Sequence, residues 1–237
     1  MLHVDLNADL GEEVTDDAAL LAIVTSANVA CGYHAGSAAI MREVCAEAAA
    51  RGVSIGAQVS YDDRENFGRV PVEVAASTLT EQVADQVGTL AWIAVGEGVE
   101  VRYVKPHGAL YHRTIDDPEH AAAVLDGSVL SGVGLPVLGM PGVLREQAVA
   151  AGRRVLSEGF PDRAYGEDGR LLPRSAPGAV LSDGEEIVAA AVRLSETVDS
   201  LCLHGDNPGA VAHAREVRAA LEAATSTGTR PKFSRSS

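Results

Sequence analysis

Short apolar segments alternate with longer amphipathic segments along most of the chain, which has 237 residues. In two of the longer segments, 37–51 and 72–95, apolar residues recur every three or four positions, as in helices that pack one face against a sheet. Gly52 would end the first of these helices. Seven of the short segments predict β-strands: 3–9, 26–32, 53–60, 101–107, 136–141, 154–160 and 200–206.

This regular alternation of strands and helices indicates the fold class. Successive strand–helix–strand units predict right-handed crossovers and a parallel sheet. The series is long enough to close or nearly close, so we expect an α/β fold, a seven-stranded parallel β/α barrel related to the TIM barrel. A chain of this length can bury one large core. We expect residues 1–225 to form a single barrel domain and residues 226–237, rich in Ser, Thr and Arg, to be a disordered tail.

The first predicted strand has an unusually polar face. Because side chains alternate across a strand, polar residues at every second position share one side. Burying them is costly unless they bond to one another, to water or to a ligand, so we expect this face to line a wet cavity. An edge strand with one solvated face is the alternative. The polar positions are His3, Asp5, Asn7 and Asp9.

Composition narrows the possible functions. A net charge of −14, without a basic stripe, argues against nucleic-acid binding. No apolar run approaches the roughly 18 residues of a membrane span, and the N-terminus does not resemble a secretory signal. The odd number of cysteines, Cys31, Cys45 and Cys202, all in segments expected to be buried, favours reduced thiols in a cytoplasmic protein over disulfides.

Lys105 is one of only two lysines, and the other, Lys232, lies in the expected tail. Lys105 and His107 are two residues apart near the end of the fourth predicted strand, so their side chains point to the same side. The carboxyl ends of barrel strands are where substrates bind. Lys105 could hold a carboxylate or phosphate, or act as a base or nucleophile. A structural salt bridge is the alternative.

Polar residues near the ends of most other predicted strands suggest one shared active site. Gln58, Glu158 and Asp162 have such positions, but we assign them no role. His112, five residues after His107, would not share a helical face with it, so we expect it at the surface. The catalytic candidates are Asp9, Glu12, His34, Lys105, His107, His204 and Asp206. The binding candidates are Asn7, Asn28, Tyr61, Arg163, Arg174 and Gly205.

The histidines and carboxylates among these candidates suit either proton transfer or a divalent metal ion. Because no HExxH or CxxC spacing occurs, metal ligands would have to come from separate strands. We leave the metal unassigned. The candidate ligands are Asp9, His34, His107 and His204.

Several motifs resemble the LamB/YcsF family: DLNADLGE, SANVACGYHAG, ENFGR, VKPHGALY, DRAY, LLPRSAPGAV and LCLHGDNPGAV. The resemblance runs in order to about residue 223 and implies a glycoside hydrolase/deacetylase-like seven-stranded β/α barrel. It also implies hydrolysis of 5-oxo-L-proline to L-glutamate coupled to ATP cleavage, with Mg²⁺ and with 5-oxoprolinase subunits B and C as partners. Where the family commonly has histidine, this chain has Gln58, which cannot act as an acid, base or ordinary metal ligand.

The implied reaction requires a site for one carboxylate and several phosphates. Lys105, Arg163 and Arg174 could supply the positive charge, and Asp9 or Asp206 could hold Mg²⁺. Two other interpretations remain open. One is a stand-alone metal-dependent deacetylase or amidohydrolase, and the other is a non-catalytic protein that binds a small acid or sugar.

Overall fold

A closed barrel of seven parallel strands forms the centre of the molecule, in a computed structural model that describes residues 4–14, 16–207 and 209–225. The barrel strands are β1 (Asp5–Leu10), β2 (Ser26–Ala30), β3 (Ser54–Val59), β4 (Val101–Pro106), β7 (Val137–Gly139), β8 (Val155–Gly159) and β9 (Ser200–Leu203). Between β4 and β7 in sequence, β5 (Val129–Leu130) and β6 (Val133–Gly134) form a small antiparallel hairpin. The barrel closes where β9 pairs with β1.

Helices follow most of the barrel strands. In α2, the Ser37 side chain accepts the backbone N–H of Ile40, and Gly52 ends the helix with a φ of 70°, a left-handed conformation that glycine adopts easily. The helices are α1 (Asp17–Leu21), α2 (Ala38–Arg51), α3 (Ala76–Gly96), α4 (Gly108–Asp116), α5 (Pro118–Gly127), α6 (Val143–Ala150), α7 (Gly184–Leu194) and α8 (Ala210–Thr225). None of the helices in the described ranges is long and apolar enough to cross a membrane.

The fold class predicted from the sequence is confirmed, and each of the seven predicted strands overlaps a barrel strand. The second predicted helix begins four residues later than expected, at Ala76. The edge-strand alternative for the first strand is wrong, because β1 pairs with both β2 and β9. His3, Lys232 and the expected tail, residues 226–237, lie outside the described residues.

The main apolar core lies between the barrel and its helices. On β1 the apolar positions Leu6, Ala8 and Leu10 belong to this core and are fully buried. Cys31, Cys45 and Cys202 are free and buried. The polar positions of β1 therefore face the inside of the barrel, as the alternation predicts.

The lower part of the barrel interior holds a hydrogen-bonded network rather than a cavity. Asp5 Oδ1 accepts hydrogen bonds from Thr25 at 2.6 Å and from Ser26 at 2.7 Å, and Asp5 Oδ2 accepts one from Ser200. The Asn7 amide donates to Ser200 Oγ at 2.6 Å. Asp5 and Asn7 thus find protein partners, so the prediction that the whole polar face of β1 lines a cavity is wrong at these two positions.

The next layer of this network crosses the barrel. The Asn28 amide donates to Asn7 Oδ1 at 2.6 Å, and the Tyr103 hydroxyl donates to Asn28 Oδ1 at 2.7 Å. Tyr103 fits because Gly56 has no side chain: a Cβ there would lie 2.1 Å from Tyr103 Cε2. We call the residues Asp5, Asn7, Ser26, Asn28, Tyr103 and Ser200 the lower network.

Candidate active site

A cavity of about 290 Å³ opens above the lower network, at the carboxyl ends of the barrel strands. Strand ends supply its floor, and the long segment 160–181 contributes part of its wall. Its size is near the lower end for small-molecule sites. It is lined by Asp9, Arg69, Lys105, Pro106, His107, Gly108, Ala109, Tyr111, His112, Phe160, Arg163, Leu171, Pro173, Arg174 and His204.

Lys105 forms a buried charged centre on the floor of this cavity. Its Nζ lies 3.0 Å from Asp9 Oδ1 and 2.8 Å from Glu158 Oε1, and its side chain is only 3% exposed. Nζ also lies 5.4 Å from the centre of the Phe160 ring. Buried charges are tolerated only when they are paired, so these contacts fix the position of the ammonium group.

The charges within this centre determine its protonation. Burial alone would lower the pKa of Lys105, but Asp9 and Glu158 outweigh burial and hold that pKa well above its ordinary value. Burial opposes ionisation of Asp9 as well, yet Lys105 lowers its pKa below the usual range. For Glu158, burial raises the pKa and Lys105 offsets this only in part. Lys105 is therefore a fixed cation, and Glu158 is the more easily protonated of the two acids.

Two neutral groups complete the surroundings of Lys105. The Tyr111 hydroxyl donates to Glu158 Oε2 at 2.9 Å and accepts the backbone N–H of Met140 at 2.8 Å. Cys202 Sγ lies 3.1 Å from Lys105 Nζ. Burial raises the pKa of the Cys202 thiol well above its ordinary value, so this sulfur stays protonated near neutral pH.

His204 lines the cavity and is oriented by Asp162. Its Nδ1 lies 3.0 and 3.1 Å from the two carboxylate oxygens of Asp162, which also accepts the backbone N–H of His204 at 3.0 Å. Burial opposes ionisation of Asp162, but His204 lowers its pKa below the usual range. A carboxylate can only accept, so Nδ1 carries a proton, and in the neutral tautomer the lone pair is on Nε2. The His204 ring stacks on Phe160 with centroids 5.3 Å apart.

An ion-paired clasp joins three loops at the cavity mouth. Asp206 Oδ2 accepts hydrogen bonds from Arg69 at 2.6 Å and from Arg174 at 3.1 Å. Burial opposes ionisation of Asp206, but the two guanidinium groups lower its pKa below the usual range. Two arginines facing one carboxylate leave an excess of positive charge at the mouth. We call Arg69, Arg174 and Asp206 the mouth clasp.

Arg163 also lines the cavity, but its guanidinium is engaged with the backbone. It donates to Ala179 O at 3.1 Å and to Leu172 O at 2.6 Å. These bonds hold the segment 160–181 in place, so the structure favours a positioning role for Arg163 over direct binding of an anion.

A second polar cluster lies beside the cavity and contains Glu12, His34, Gln58 and His107; we call it the imidazole cluster. Glu12 Oε1 lies 3.6 Å from His34 Nε2 and 3.5 Å from His107 Nδ1. The Gln58 amide nitrogen lies 3.0 Å from Glu12 Oε1 and 2.9 Å from His107 Nδ1. Burial, followed by the neighbouring His34, lowers the pKa of His107 well below its ordinary value, so His107 is neutral.

The two histidines of this cluster are held very differently. His107 Nε2 lies 3.1 Å from Phe67 O, and a carbonyl only accepts, so Nε2 carries the proton and Nδ1 a lone pair. Neither ring nitrogen of His34 has a hydrogen-bond partner among the described residues, although His34 is 1% exposed. The Gln58 carbonyl oxygen is likewise buried without such a partner.

The structure brings together most, but not all, of the residues singled out in the sequence. Glu12 and His34 lie in the imidazole cluster, and Asp206 lies in the mouth clasp. Gly205 precedes Asp206 in the chain and is buried. The four candidate metal ligands do not converge: Asp9 and His204 group with Cys202, whereas His34 and His107 group with Glu12. The candidates that line the cavity are Asp9, Lys105, His107, Arg163, Arg174 and His204.

Three of the predicted binding residues do not reach the cavity. Asn7 and Asn28 belong to the lower network. Tyr61 is 1% exposed within the apolar core, and its hydroxyl lies 2.7 Å from His120 Nδ1. Protein partners thus already bond to the polar groups of these residues, and Asn28 also donates to Asp9 Oδ1 on the cavity floor at 2.8 Å. A binding role for the three residues stays a prediction.

Several residues at or beside the cavity were not predicted from the sequence to belong to the site. His112 is exposed, which confirms its predicted surface position, but it also lines the cavity, which was not predicted. Arg69, Tyr111 and Phe160 were not identified as site residues. Glu158, which pairs with Lys105 but does not itself line the cavity, did carry a signal, since it occupies an inward-facing position near the end of β8, as Lys105 does on β4.

Comparisons with known proteins agree with this architecture. The chain is 52% identical to the protein of Streptomyces avermitilis that is named as the A subunit of 5-oxoprolinase, over 93% of this chain and 96% of that protein. The crystal structure of a lactam utilization protein from Thermus thermophilus superposes with a TM-score of 0.87 and 37% identity, covering 94% of this chain and 97% of that one.

A more distant similarity concerns the fold alone. The catalytic domain of a peptidoglycan N-acetylglucosamine deacetylase from Eubacterium rectale superposes with a TM-score of 0.51 at 12% identity, covering 93% of this chain and 84% of that one. In sequence, residues 4–234 match the LamB/YcsF family. The chain therefore belongs to the LamB/YcsF family.

Proposed function

We propose that this chain is the A subunit of an ATP-dependent 5-oxoprolinase, which hydrolyses 5-oxo-L-proline to L-glutamate together with subunits B and C. The name of the Streptomyces avermitilis relative and that of the Thermus thermophilus structure support a lactam as the substrate class. The observation that carries the proposal is Lys105, a fixed buried cation on the floor of a cavity of small-molecule size.

The charges of the cavity suit a small acid and a phosphorylated nucleotide. Arg69 and Arg174 give the mouth an excess of positive charge that attracts a carboxylate or phosphate. Phe160, Leu171 and Pro173 offer apolar surface to the methylene groups of a five-membered ring. Such a combination of apolar wall and few charged groups is typical of small-molecule sites.

ATP cleavage has a clear chemical purpose in this reaction. An unstrained lactam is a poor electrophile, and transfer of the γ-phosphoryl group to its carbonyl oxygen would make the carbonyl carbon easier for water to attack. The lactam C–N bond then breaks and its nitrogen takes a proton, which leaves a phosphate ester of the new carboxyl group, an acyl phosphate. A second water cleaves the acyl phosphate to the carboxylate and phosphate. Two waters are consumed overall, one to open the ring and one to cleave the acyl phosphate, and the products are glutamate, ADP and phosphate.

The residues around the cavity can supply the proton transfers and charge stabilisation. His204 is the preferred base, because Asp162 holds the proton on Nδ1 and leaves the Nε2 lone pair available. Lys105 would stabilise negative charge on the reacting oxygen. His204, once it has taken a proton at Nε2, would return that proton to the leaving nitrogen, because Glu158 does not line the cavity and already has Lys105 and Tyr111 at its two oxygens. His107 is a poorer choice, since both of its ring nitrogens already have protein partners.

Mg²⁺ would enter this site with ATP, because phosphates supply most of its oxygen ligands. Asp9 and Asp206 are carboxylates on the floor and at the mouth that could add to them. Each is already paired with cations, Asp9 with Lys105 and Asp206 with two arginines. We therefore assign Mg²⁺ binding mainly to the nucleotide.

Reconstitution tests the proposal. The purified chain alone should release almost no glutamate from 5-oxoproline, whereas the chain with subunits B and C, Mg²⁺ and ATP should release glutamate and ADP in equal amounts. Glutamate is measured by chromatography and ADP by a coupled assay. The control omits only this chain from the mixture.

Three other outcomes would contradict the proposed function or indicate a different one. A complete mixture that forms no glutamate contradicts the proposal. ATP-independent hydrolysis of N-acetyl or cyclic amide substrates by the chain alone indicates a stand-alone amidohydrolase. Tight binding of a small acid or sugar, without turnover under any condition, indicates a binding protein.

A further inference from the structure

We propose that Glu12, His34 and His107 bind a first-row divalent transition metal ion of the Zn²⁺ type, at a site distinct from the Mg²⁺ that accompanies ATP. One carboxylate oxygen and two imidazole nitrogens, one from each residue, lie within 4.8 Å of one another. The three residues follow three different strands, β1, β2 and β4, which explains why no short spacing motif marks them in the sequence.

The distances within the cluster suit a metal ion. Two ligand atoms that each lie about 2.0–2.2 Å from a tetrahedral ion are about 3.4 Å apart. Glu12 Oε1 lies 3.5 Å from His107 Nδ1 and 3.6 Å from His34 Nε2. These separations are too long for hydrogen bonds and close to those of two ligands sharing an ion.

Unpartnered buried atoms are the second, independent observation. Both ring nitrogens of His34 lack hydrogen-bond partners within the described ranges, and so does the side-chain oxygen of Gln58. His34 and Gln58 are 1% and 0% exposed. Buried polar groups in native proteins nearly always have a partner, so several such atoms in one cluster indicate a missing ligand or water.

The environment of His107 resembles that of a metal ligand. Its Nε2–H donates to Phe67 O, which leaves the Nδ1 lone pair directed toward Glu12. Metal-bound histidines characteristically donate their other ring N–H to a carbonyl or carboxylate. His107 is thus already oriented for binding through Nδ1.

Binding requires two small movements. His34 and His107 are stacked with centroids 4.1 Å apart and an interplanar angle of 13°, so one ring must turn before both nitrogens point at a single ion. His34, which lacks hydrogen bonds to the described residues, is the ring that can turn. The Gln58 amide must also rotate away from His107 Nδ1, and this would bring its unpartnered oxygen toward the ion.

A second group of potential ligands is less suitable. Asp9, Cys202 and His204 are also close together, but the Lys105 ammonium lies 3.0 Å from Asp9 Oδ1 and 3.1 Å from Cys202 Sγ. A fixed cation there repels a metal ion. In the imidazole cluster, two nitrogen donors favour zinc-type ions over Mg²⁺, which prefers oxygen ligands.

His107 also lines the cavity, so an ion held by the imidazole cluster adjoins the proposed lactam site. There it would polarise the substrate carbonyl or hold an anionic group, a role that rests on the proposed function. Binding of the ion itself does not depend on that function. It can be measured on the isolated chain, without ATP or partner subunits, so failure of either proposal is recognised separately.

Metal titration of the full-length chain tests the site. After treatment with a chelator, the chain should bind one Zn²⁺ by calorimetry and by metal analysis, and excess Mg²⁺ should not displace it. His34→Gln should weaken binding by about 10²-fold or more, since even loss of an outer partner typically costs 10–100-fold. His213→Gln, a histidine substitution outside the cluster, is the matched control and should bind as the wild type does.

Two further measurements keep the test decisive if His34→Gln fails to fold. Gln58→Glu, of nearly equal size, should tighten Zn²⁺ binding because it adds a carboxylate to the ligand set. The Co²⁺-loaded wild-type chain should show visible bands without a thiolate charge-transfer band. Less than a tenth of an ion bound to the wild type, unchanged binding by a folded His34→Gln variant, or a thiolate band that Cys202→Ser removes would each overturn the proposal.

Discussion

The lower network and the cavity above it are built from the same kinds of polar residue on the same strands. Only the residues of the cavity face a volume that a ligand can occupy. On β1, Asp5 and Asn7 lie below and Asp9 lies above; on β9, Ser200 lies below, and His204 just after the strand lies above. Hydroxyl and amide groups surround Asp5 and Asn7 below, and their hydrogen bonds close on one another. Above, charged groups are paired but face an open volume of about 290 Å³.

This difference implies that the residues of the lower network stabilise the fold, whereas the residues of the cavity can also act on a substrate. A buried polar group that is satisfied by its neighbours makes the interior specific and rigid, and it has no lone pair left for a substrate. A charged group at the cavity floor keeps one side exposed to a ligand. Substitutions below should therefore affect folding alone, whereas substitutions above should affect both folding and turnover.

Lys105→Met should have the largest effect. It leaves Asp9 and Glu158 buried without their cation, so we expect a loss of about 3–5 kcal/mol in the free energy of unfolding at neutral pH. Glutamate formation by the reconstituted complex should fall by about 10²–10³-fold or more, because a charge that stabilises the reacting oxygen is gone. Urea denaturation and the glutamate assay measure the two effects.

The double substitution Lys105→Met with Glu158→Gln is the matched control. It removes one of the two stranded charges, so it should recover part of the stability and none of the turnover. If Lys105→Met alone keeps wild-type turnover, Lys105 serves only in structural ion pairs. The cavity floor would then stabilise the fold without taking part in turnover, as the lower network does.

Ser200→Ala should give a smaller effect, confined to folding. The Ser200 hydroxyl donates to Asp5 and accepts from Asn7, so its removal leaves two buried partners incompletely bonded. We expect the free energy of unfolding to fall by about 1–3 kcal/mol. Turnover per folded molecule should be unchanged at a temperature well below the melting point. A drop in kcat larger than the loss of folded protein would show that the lower network takes part in catalysis.

Much of the upper rim could be predicted from the sequence. Strict alternation on the first strand placed Asp9 inside the barrel, and the spacing of Lys105 and His107 put both at the end of β4. These inferences use only the two-residue period of a strand and the position of strand ends in barrels. Both rules relate residues that are close together in the chain, so they can be applied to a single sequence.

These rules do not predict how far along the barrel axis each inward-facing side chain lies. Asn7 and Asp9 share a face, but only the structure places Asn7 against Asn28 and Ser200, which come from distant parts of the chain. His112 is exposed, as expected, but helical spacing from His107 gave no sign that it also lines the cavity. In the structure α4 begins at Gly108, so His107 precedes the helix and that spacing does not apply.

The pH dependence of stability should differ in sign between Asp5 of the lower network and Asp162 beside the cavity. Burial, opposed by bonds from Ser200, Thr25 and Ser26, raises the pKa of Asp5 in the folded state. The folded chain then holds this proton more tightly than the unfolded chain, so stability from Asp5 decreases as pH rises through the raised pKa. Asp162 has a lowered pKa, so its contribution is present at neutral pH and is lost on acidification through that pKa.

Asp5→Asn and Asp162→Asn should therefore change the slope of stability against pH in opposite directions. Each unit of pKa shift corresponds to about 1.4 kcal/mol across the range. Thermal unfolding of both variants and the wild type, from about pH 3 to pH 8, measures the slopes across the range in which carboxyl groups titrate. Equal slopes in the two variants would contradict the prediction that Asp5 and Asp162 contribute pH dependence of opposite sign.

The smallest effect should come from the mouth clasp. The Asp206 side chain is 19% exposed and Arg69 36%, so screening by water limits this pair, and Asp206→Asn should change the free energy of unfolding by less than about 1 kcal/mol. The substitution leaves two arginines without their shared carboxylate, and the mouth becomes more positive. Inorganic phosphate should then inhibit the reconstituted complex at a concentration a few-fold lower than for the wild type, an effect that added salt should reduce. Unchanged phosphate inhibition at low salt would mean that the arginines of the clasp hold the loops together without meeting the anionic substrate.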